Sequence, residues 1–592
     1  MNQASITTQS PPAARSGGRP PGSQPRRGLR LGQRGALTRT LIVGLAIVAV
    51  LFFVIGPLVY LAAQTFGNGS GLSFASFGRA YDNSQTPSMI LNSVEYSLGS
   101  TALALILGTG LAYLVVRTDV PFRRLAFVAG LIPAFIPAIL YAPAWIFLGS
   151  PDNGLVNWAT KAVLGVSPVN IYSMWGMIWV EGLSLTPLTF LLMSAAFRGQ
   201  DPALEESAQM SGARRLAVLR RITLPLARPA VMSALLVVLV LAFGSFEVPV
   251  MIGEHNSIYV FTTRIYFLLT LFPPDGGAAG ALGVGLLGVA VLVLLLCRIG
   301  AKGTASYRTV TGKGFQQRPS SLGRARYFFG AGILLYLLVT VVAPVGALIY
   351  ASLLPFYRVP SQISWSALTG ANYTGLFQGT SLGAIENTVI VGVATAVIVM
   401  LAAVIAVWFV AHAKRRSRAA AALASAVDGV AFTPIVIPGL VLGLAISYMY
   451  LRSPLPIYGT LWILIIAYGT HFIPYGMRYA NVSMSQLGLE LEEAAAMSGA
   501  TWWQSFRRVI IPLTKPGLLA GGIYVLTLCF RELNSSILLV TPGQEVLSVR
   551  MYEQFQNGDF GGLAALGIFM VVVLLGLVLL GYRFLGRSSI EI

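Results

Sequence analysis

The sequence contains few of the residues from which disulfide frameworks, metal centres and most active sites are built. It has two cysteines, Cys297 and Cys529, each inside an apolar run of a different half, and three histidines that form no ligand cluster. Two distant cysteines exclude a disulfide framework and a cysteine-based metal site, because both need several cysteines. We therefore expect no metal site, no catalytic residues and no cofactor bound by this chain.

Charged residues are also scarce: they make up 10% of the 592 residues, whereas 55% are hydrophobic and the mean hydropathy is +0.74. This composition excludes a soluble protein, whose surface must be wetted, and indicates a polytopic protein of the lipid bilayer. The formal net charge of +19 does not indicate a nucleic-acid partner, because the basic residues stand in short blocks between apolar runs and not on one face.

Twelve apolar runs have about the 20 residues needed to cross the bilayer core, and six fall in each half. They predict an all-α polytopic membrane protein with about twelve transmembrane helices in two parallel six-helix repeats. The third spans are expected near 125–148 and 430–450, and the fifth near 230–251 and 517–540. The predicted segments are a disordered cytoplasmic tail over 1–40, a first half over 41–298, a cytoplasmic linker over 299–326 and a second half over 327–592.

The basic residues alternate in density from loop to loop. Residues 198–228, 298–326 and 478–515 are rich in Arg and Lys. Two further basic clusters, 117–124 and 414–418, fall on the same predicted side, and the loops of the opposite side keep only Arg79, Lys161, Arg264, Arg358, Arg452 and Arg550. Because basic loops stay in the cytoplasm, this asymmetry predicts that both termini are cytoplasmic.

One motif occurs twice. Glu205–Ala213 reads EESAQMSGA and Glu492–Ala500 reads EEAAAMSGA, at an offset of 287 residues, and Pro225 and Pro512 follow at the same offset. The repeat indicates a tandem duplication. Each copy predicts a short helix with an acidic start, a glycine that permits a tight reversal, and a second helix that the proline ends. We call each copy a cytoplasmic hairpin.

The motif resembles the cytoplasmic signature of ATP-binding-cassette importer permeases, which reads Glu-Ala-Ala, three residues and Gly, followed by a hydrophobic stretch that ends in Leu-Pro. Glu493-Ala494-Ala495 and Gly499 fit closely, whereas the first copy has Ser207 in place of the first alanine. The resemblance implies that both hairpins couple the permease to its ATPase. The coupling residues it implies are Glu205, Glu206, Ala208, Gly212, Ala213, Pro225, Glu492, Glu493, Ala494, Ala495, Gly499, Ala500 and Pro512.

The resemblance also implies the partners and the location. These are two copies of a separate ATPase subunit, which would bind ATP and magnesium, and a periplasmic or lipid-anchored substrate-binding protein at a bacterial inner membrane. The chain itself has no Gly-x-x-x-x-Gly-Lys-[Ser/Thr] loop for ATP, so we expect it not to be an enzyme.

Charged side chains inside spans are expensive and often line a pathway. Glu247 and Glu532 are expected at comparable depth in the two fifth spans, either lining the pathway or pairing with neighbouring helices. The candidates for the pathway are Glu95, Glu181, Glu247, Arg531 and Glu532, with Asp428 and His471 as further polar positions within spans.

The fused layout, with the sequences Phe243–Pro249 and Phe530–Leu539, is most similar to that of ferric-iron permeases. Carboxylates suit Fe(III), which prefers oxygen ligands, but they would also attract thiamine or a polyamine, so other small-solute importers of the same superfamily remain an alternative. An alternative of another class is an ion-coupled secondary transporter, although that class would not need two matching hairpins.

Overall fold

The computed structural model describes residues 28–67, 71–301, 320–362, 365–487 and 490–585, and all regular secondary structure in these ranges is helical. The prediction of an all-α polytopic membrane protein is thereby confirmed. Residues 1–27 of the predicted tail and 302–319 of the predicted linker lie outside the described residues. The first helix begins at Gly28 and so extends into the segment predicted as a tail.

Twenty-five α-helices are numbered here in chain order, with short 3₁₀ and π turns between some of them. The first half contains α1 Gly28–Phe66, α2 Ala75–Tyr81, α3 Thr86–Arg117, α4 Arg123–Leu131, α5 Ala138–Gly149, α6 Leu155–Leu164, α7 Met174–Arg198, α8 Ala203–Met210, α9 Arg215–Val218, α10 Leu224–Gly244, α11 Phe261–Thr270 and α12 Gly276–Ala301. The second half contains α13 Ala325–Leu337, α14 Ala343–Ser352, α15 Ala371–Gly375, α16 Gly379–Arg416, α17 Arg418–Phe432, α18 Gly439–Leu451, α19 Leu461–Ser485, α20 Glu490–Met497, α21 Trp502–Ser505, α22 Ile511–Arg531, α23 Ser536–Leu539, α24 Leu547–Gln556 and α25 Phe560–Leu585.

Among the described residues, nine helices are long and apolar enough to cross a membrane, and two bent helix pairs bring the number to eleven. The bent pairs, α4–α5 at 103° and α17–α18 at 109°, occupy the two predicted third spans. They are not the straight helices that apolar length predicts, because each contains two closely spaced prolines that interrupt helical hydrogen bonding. The remaining predicted span is α19, which at 25 residues is long enough but less apolar.

Each hairpin runs directly into the fifth span of its half. Helix α9 continues through a π turn at Leu219–Thr223 into α10, and α21 continues through Phe506–Ile510 into α22. The prediction that Pro225 and Pro512 end a helix is therefore wrong. Each proline lies in the first turn of the following helix, where its missing N–H is tolerated, and the wider π turn accommodates its ring.

The fifth spans also end earlier than predicted, at Gly244 and Arg531. After each of them the chain leaves the helix, forms a short helical segment, and enters α11 or α24 before the sixth span. We call residues 245–260 and 532–546 the first and second breaks.

Three hydrogen bonds of the first half have equivalents in the second half, which supports the duplication. In each half, two residues of the second span bind backbone atoms, one in the break and one in the first residue of α11 or α24. A third bond joins the second residue of α11 or α24 to the backbone carbonyl of the first residue of the break. The bonds are Asn92 to Tyr259 O at 3.2 Å and Asn387 to Glu545 O at 3.0 Å, Phe261 N to Ser93 Oγ at 3.0 Å and Leu547 N to Thr388 Oγ1 at 2.7 Å, and Thr262 to Ser245 O at 2.7 Å and Ser548 to Glu532 O at 2.6 Å.

The two halves interlock. Helix α1 packs against α18 of the second half, and α14 packs against α5 of the first half, so each first span lies against the bent pair of the other half. The sixth spans approach the same elements: a Cβ on Gly567 in α25 would lie 2.2 Å from the side chain of Leu140 in α5. The bent pairs and the breaks therefore meet at the interface between the halves.

Candidate functional site: two cytoplasmic hairpins and a central carboxylate cluster

The reversal in each hairpin has the backbone that its glycine predicts. Gly212 and Gly499 have φ values of +85° and +81°, and a Cβ on either would meet nothing within 4 Å. The N–H of Ala213 donates to the carbonyl of Ala208 at 3.0 Å, and the equivalent bond in the second hairpin is 3.1 Å long. This pattern is a Schellman motif, so the glycines are required by backbone conformation and not by lack of space.

Both hairpins present apolar side chains at equivalent positions. The exposed fractions are 89% for Met210 and 85% for Met497, and Leu204 and Leu491 are each 46% exposed. Leu216 and Trp503 form a third exposed pair. Exposed apolar clusters of this kind mark contact surfaces for another molecule.

The two adjacent glutamates of each motif differ in how far they are buried. Glu206 and Glu493 are exposed, whereas Glu205 and Glu492 are partly buried and bind other parts of the chain. Glu205 accepts a hydrogen bond from Thr223 at 2.7 Å. The sequence could not separate the two, because their identity is the same and only the neighbouring spans decide which one is covered.

A buried polar chain crosses the centre of the first half. The Tyr96 hydroxyl donates to Ser245 Oγ at 3.2 Å, and Ser245 Oγ donates to Glu181 Oε2 at 3.1 Å. Glu247 lies two residues further along the first break and is also buried. Burying a carboxylate without a counter-charge costs free energy. Such a group therefore indicates a pathway or a nearby cation.

The second half contributes a carboxylate and a cation to the same region. Glu532 Oε1 accepts bonds from the N–H and hydroxyl of Ser535, both at 3.0 Å. Arg531 donates to the carbonyl of Ala134 at 2.7 Å, across the interface between the halves. Glu247 lies within electrostatic range of both Glu532 and Arg531. Three carboxylates and one guanidinium therefore converge from both halves.

The other predicted positions lie apart from this cluster. Glu95 is exposed on the face of α3 that carries Leu91, Val94 and Leu98. Asp428 and His471 are half-buried in α17 and α19. In the part of the chain that the structure describes, no three His, Cys, Asp or Glu side chains form a group that could hold a metal ion.

The family described as binding-protein-dependent transport system inner membrane component matches residues 100–301 and 420–589, which is most of each half. The chain belongs to this family. The predictions of an importer permease, of an inner-membrane location, of a binding-protein partner and of no enzymatic activity are thereby confirmed, and the secondary-transporter alternative is set aside.

Two relatives resemble the permease over most of its length. A Haemophilus influenzae protein named ferric transport system permease protein FbpB 1 is 27% identical over 515 residues, 85% of this chain and 78% of its own. Ferric transport system permease protein FbpB of Actinobacillus pleuropneumoniae is 26% identical over 545 residues, 90% and 76% of the two chains. A solved bacterial transporter of alginate covers 47% of the permease at 22% identity, with a TM-score of 0.41.

The permease exchanges the positions of a carboxylate and a hydroxyl between its halves. At the offset of 287, Glu181 corresponds to Tyr468 and Ser245 corresponds to Glu532. The Tyr468 hydroxyl donates to the backbone carbonyl of Glu532 at 3.3 Å, whereas in the first half the Ser245 hydroxyl donates to the carboxylate of Glu181. Glu247 corresponds to Asn534, so the two fifth-span carboxylates are not equivalent in register, and both lie in breaks rather than in the spans as predicted.

A second repeat was missed by the sequence analysis. Val260–Tyr266 reads VFTTRIY and Val546–Tyr552 reads VLSVRMY, at an offset of 286. The rings of Tyr266 and Tyr552 are 6.2 Å apart, and Phe246 packs on both, at 5.2 Å and 6.3 Å. All three side chains are buried and close the interface between the halves in this structure. A search for offsets other than 287 could have found them.

Proposed function

We propose that the permease forms the pathway of an ATP-driven importer for ferric iron, with two copies of a separate ATPase subunit seated on its two hairpins. The observation that carries the proposal is the pair of hairpins, which repeat the same reversal and the same exposed apolar positions in both halves. A binding protein would deliver the cargo at the opposite face, and ATP with magnesium would bind the ATPase subunits.

The cargo assignment has two supports. The relatives that cover 85% and 90% of the chain carry ferric transport in their names. The interface between the halves contains Glu181, Glu247 and Glu532, and Arg531 is the cation that interacts electrostatically with Glu247 and Glu532. An excess of carboxylates suits a cation, and Fe(III) prefers oxygen ligands.

In the orientation that we propose, the hairpins and both termini lie in the cytoplasm. Its support is the distribution of basic residues, together with the contact of the linker with the loop after the second span, where Leu322 N–H donates to Asp119 at 2.6 Å. A single cysteine at Gly375 should react with an impermeant thiol reagent in intact cells, and one at Ser321 should react only after permeabilisation. The reverse pattern would contradict this orientation.

Cargo and energy source can be tested together in proteoliposomes. The permease is reconstituted with its cognate ATPase and binding protein, and uptake of radioactive iron from the loaded binding protein is followed with and without ATP. We expect uptake that requires both. A binding protein that takes thiamine or a polyamine and ignores Fe(III) would contradict the cargo, and uptake without ATP would contradict the importer mechanism.

A further inference from the structure

The first hairpin is tied to the cytoplasmic end of the second span. Arg117, the last residue of α3, places Nε 3.9 Å from Glu205 Oε1, and the two side chains are only 4% and 13% exposed. The same guanidinium donates to the carbonyl of Gln200 at 3.0 Å, and Gln200 in turn donates to the carbonyl of Thr223 at 3.2 Å. Glu205 and Arg117 thus join α3, α8 and the start of α10.

The second hairpin has the same tie with different chemistry. His412 Nε2 lies 2.9 Å from Glu492 Oε2, and its Nδ1 lies 2.9 Å from the carbonyl of Trp408. Both partners are acceptors, so an imidazole that donates from both nitrogens is an imidazolium. The Trp408 indole adds a third contact, with Nε1 3.4 Å from Glu492 Oε2. A basic side chain therefore contacts a hairpin carboxylate here as well.

The two ties occupy equivalent positions. Asn92 and Asn387, which make the repeated bond near the other end of the second span, are 295 residues apart, and so are Arg117 and His412. Glu205 and Glu492 share the offset of the hairpins. The duplication therefore retained a basic residue and a carboxylate at this contact, while the basic residue changed from Arg to His.

The other end of each second span is bonded to the segment that closes the interface. Ser93 accepts from the N–H of Phe261, and Thr388 accepts from the N–H of Leu547. These are the first residues of α11 and α24, which carry Tyr266 and Tyr552. Because each span is one continuous helix, about 36 Å separates the two contacts along it.

We propose that Glu205 and Glu492 are positioning residues that transmit the movement of each hairpin through the second span to the tyrosines at the interface. This inference rests on the proposed function, since the ATPase supplies the movement. Glu206 and Glu493, one residue further along and exposed, belong to the surface that meets the ATPase. The adjacent glutamates thus divide transmission from docking. Each second span contacts a hairpin near one end and α11 or α24 near the other, so a movement of the span changes both contacts together.

The test uses adjacent, chemically identical substitutions in the reconstituted complex. Glu205→Gln and Glu492→Gln are compared with Glu206→Gln and Glu493→Gln for the amount of ATPase subunit that co-purifies and for stimulation of ATP hydrolysis by the loaded binding protein. We expect the first pair to retain the ATPase and to lose at least about fivefold of the stimulation, the lower range of typical coupling between sites. We expect the second pair to lose bound ATPase.

His412, the basic partner of Glu492, provides a rescue experiment. His412→Arg, which installs the residue of the first half, should keep the stimulation, and the neutral His412→Gln should lower it with the ATPase still bound. If Glu492→Gln prevents folding, these two variants decide the question. Equal stimulation in His412→Gln and wild type, or equal ATPase loss from Glu205→Gln and Glu206→Gln, would overturn the inference. A wild-type complex without any stimulation would instead overturn the proposed function.

Discussion

The two halves of the permease share a backbone and differ in where they carry charge. Both hairpins reverse through a glycine with positive φ, and both second spans carry, in or near their last turn, a basic residue that contacts a hairpin glutamate. At the centre, however, Glu181 lies on the fourth span of the first half where the second half has Tyr468, and Glu532 lies in the second break where the first half has Ser245. Duplication therefore preserved the positions of contact more strictly than the chemistry at each position.

This difference makes the interface between the halves asymmetric. A symmetric pair would present identical groups to a cargo from both sides, whereas here Glu181 and Glu247 approach from one half and Glu532 with Arg531 from the other. A cation that moves between them meets an unequal pair of surfaces. The asymmetry can be broken or sharpened by substitutions at matched positions.

The largest effect is expected at the reversals, where the halves are most alike. Gly212→Val and Gly499→Val should uncouple ATP hydrolysis from uptake, because a β-branched residue at positive φ is disfavoured by roughly 1–2 kcal/mol and displaces the hairpin. We expect the double variant to abolish uptake in proteoliposomes and the single variants to differ in degree, since the hairpins are anchored differently.

Gly212→Asn and Gly499→Asn are the matched controls, because asparagine tolerates this backbone conformation. They should keep most of the uptake, as a side chain there would meet nothing within 4 Å. A double valine variant that assembles with its ATPase and transports at the normal rate would show that the reversals are not the coupling element.

The next effect is expected at the carboxylates in the breaks. Glu247→Gln with Glu532→Gln should slow uptake by about tenfold or more, equivalent to roughly 1.4 kcal/mol on the barrier, and leave the amount of assembled complex nearly constant. Tyr468→Phe is the control, since it removes the hydroxyl that binds Glu532 O without changing charge. Loss of assembly in parallel with uptake would favour structural pairing over pathway lining.

A smaller effect is expected where the bent pair meets the break of the second half. A Cβ on Gly443 in α18 would lie 2.9 Å from the backbone oxygen of Ser535, whereas the equivalent residue of α5, at the offset of 301 shared by the paired prolines, is the buried Ala142. Gly443→Ala should therefore lower the free energy of unfolding by about 1–3 kcal/mol, as overpacking does.

The measurement is unfolding of the purified permease in a graded mixture of mild and denaturing detergent. Ala142→Gly serves as the matched control and should cost about 1–2 kcal/mol, because it loses helix propensity and the burial of one methyl group. A Gly443→Ala variant as stable as wild type would show that the second break moves away from α18 without penalty.

The sequence predicted the features that depend on local pattern. Apolar length marked the spans, and the acidic start followed by glycine marked the hairpins, because helix initiation and positive φ are properties of a few adjacent residues. It did not predict the inward turn of Glu205, which is decided by Arg117, a residue 88 positions earlier. It also missed the breaks, since Gly244 and Arg531 lie within continuous apolar runs.

The smallest effect is expected at the ends of the sixth spans, on the face opposite the hairpins. In the first half Arg79 Nε donates to Asp275 at 2.8 Å, and this guanidinium holds the pKa of the Asp275 carboxyl below its usual range. In the second half the equivalent Asp559 accepts from the neutral Gln554 at 3.1 Å. The first half therefore has an ion pair where the second has a hydrogen bond from an uncharged amide to the carboxylate.

A carboxyl whose pKa is lower in the folded protein stabilises the fold above its unfolded pKa, near 3.9, and loses that contribution as the pH falls through the folded value. Arg79 and Asp275 side chains are 53% and 32% exposed, so the pair should contribute less than about 1 kcal/mol, less still in high salt. Arg79→Gln should thus lower the melting temperature slightly at neutral pH and low salt, and the difference from wild type should shrink as the pH falls below about 3.9 and vanish below the folded pKa of Asp275. Gln554→Leu should lower it equally at low and high salt, because no ion pair is lost. A salt-independent effect of Arg79→Gln would mean that Arg79 acts by packing on the start of α12. The contrast between a charged partner of the aspartate in the first half and an uncharged one in the second would then disappear.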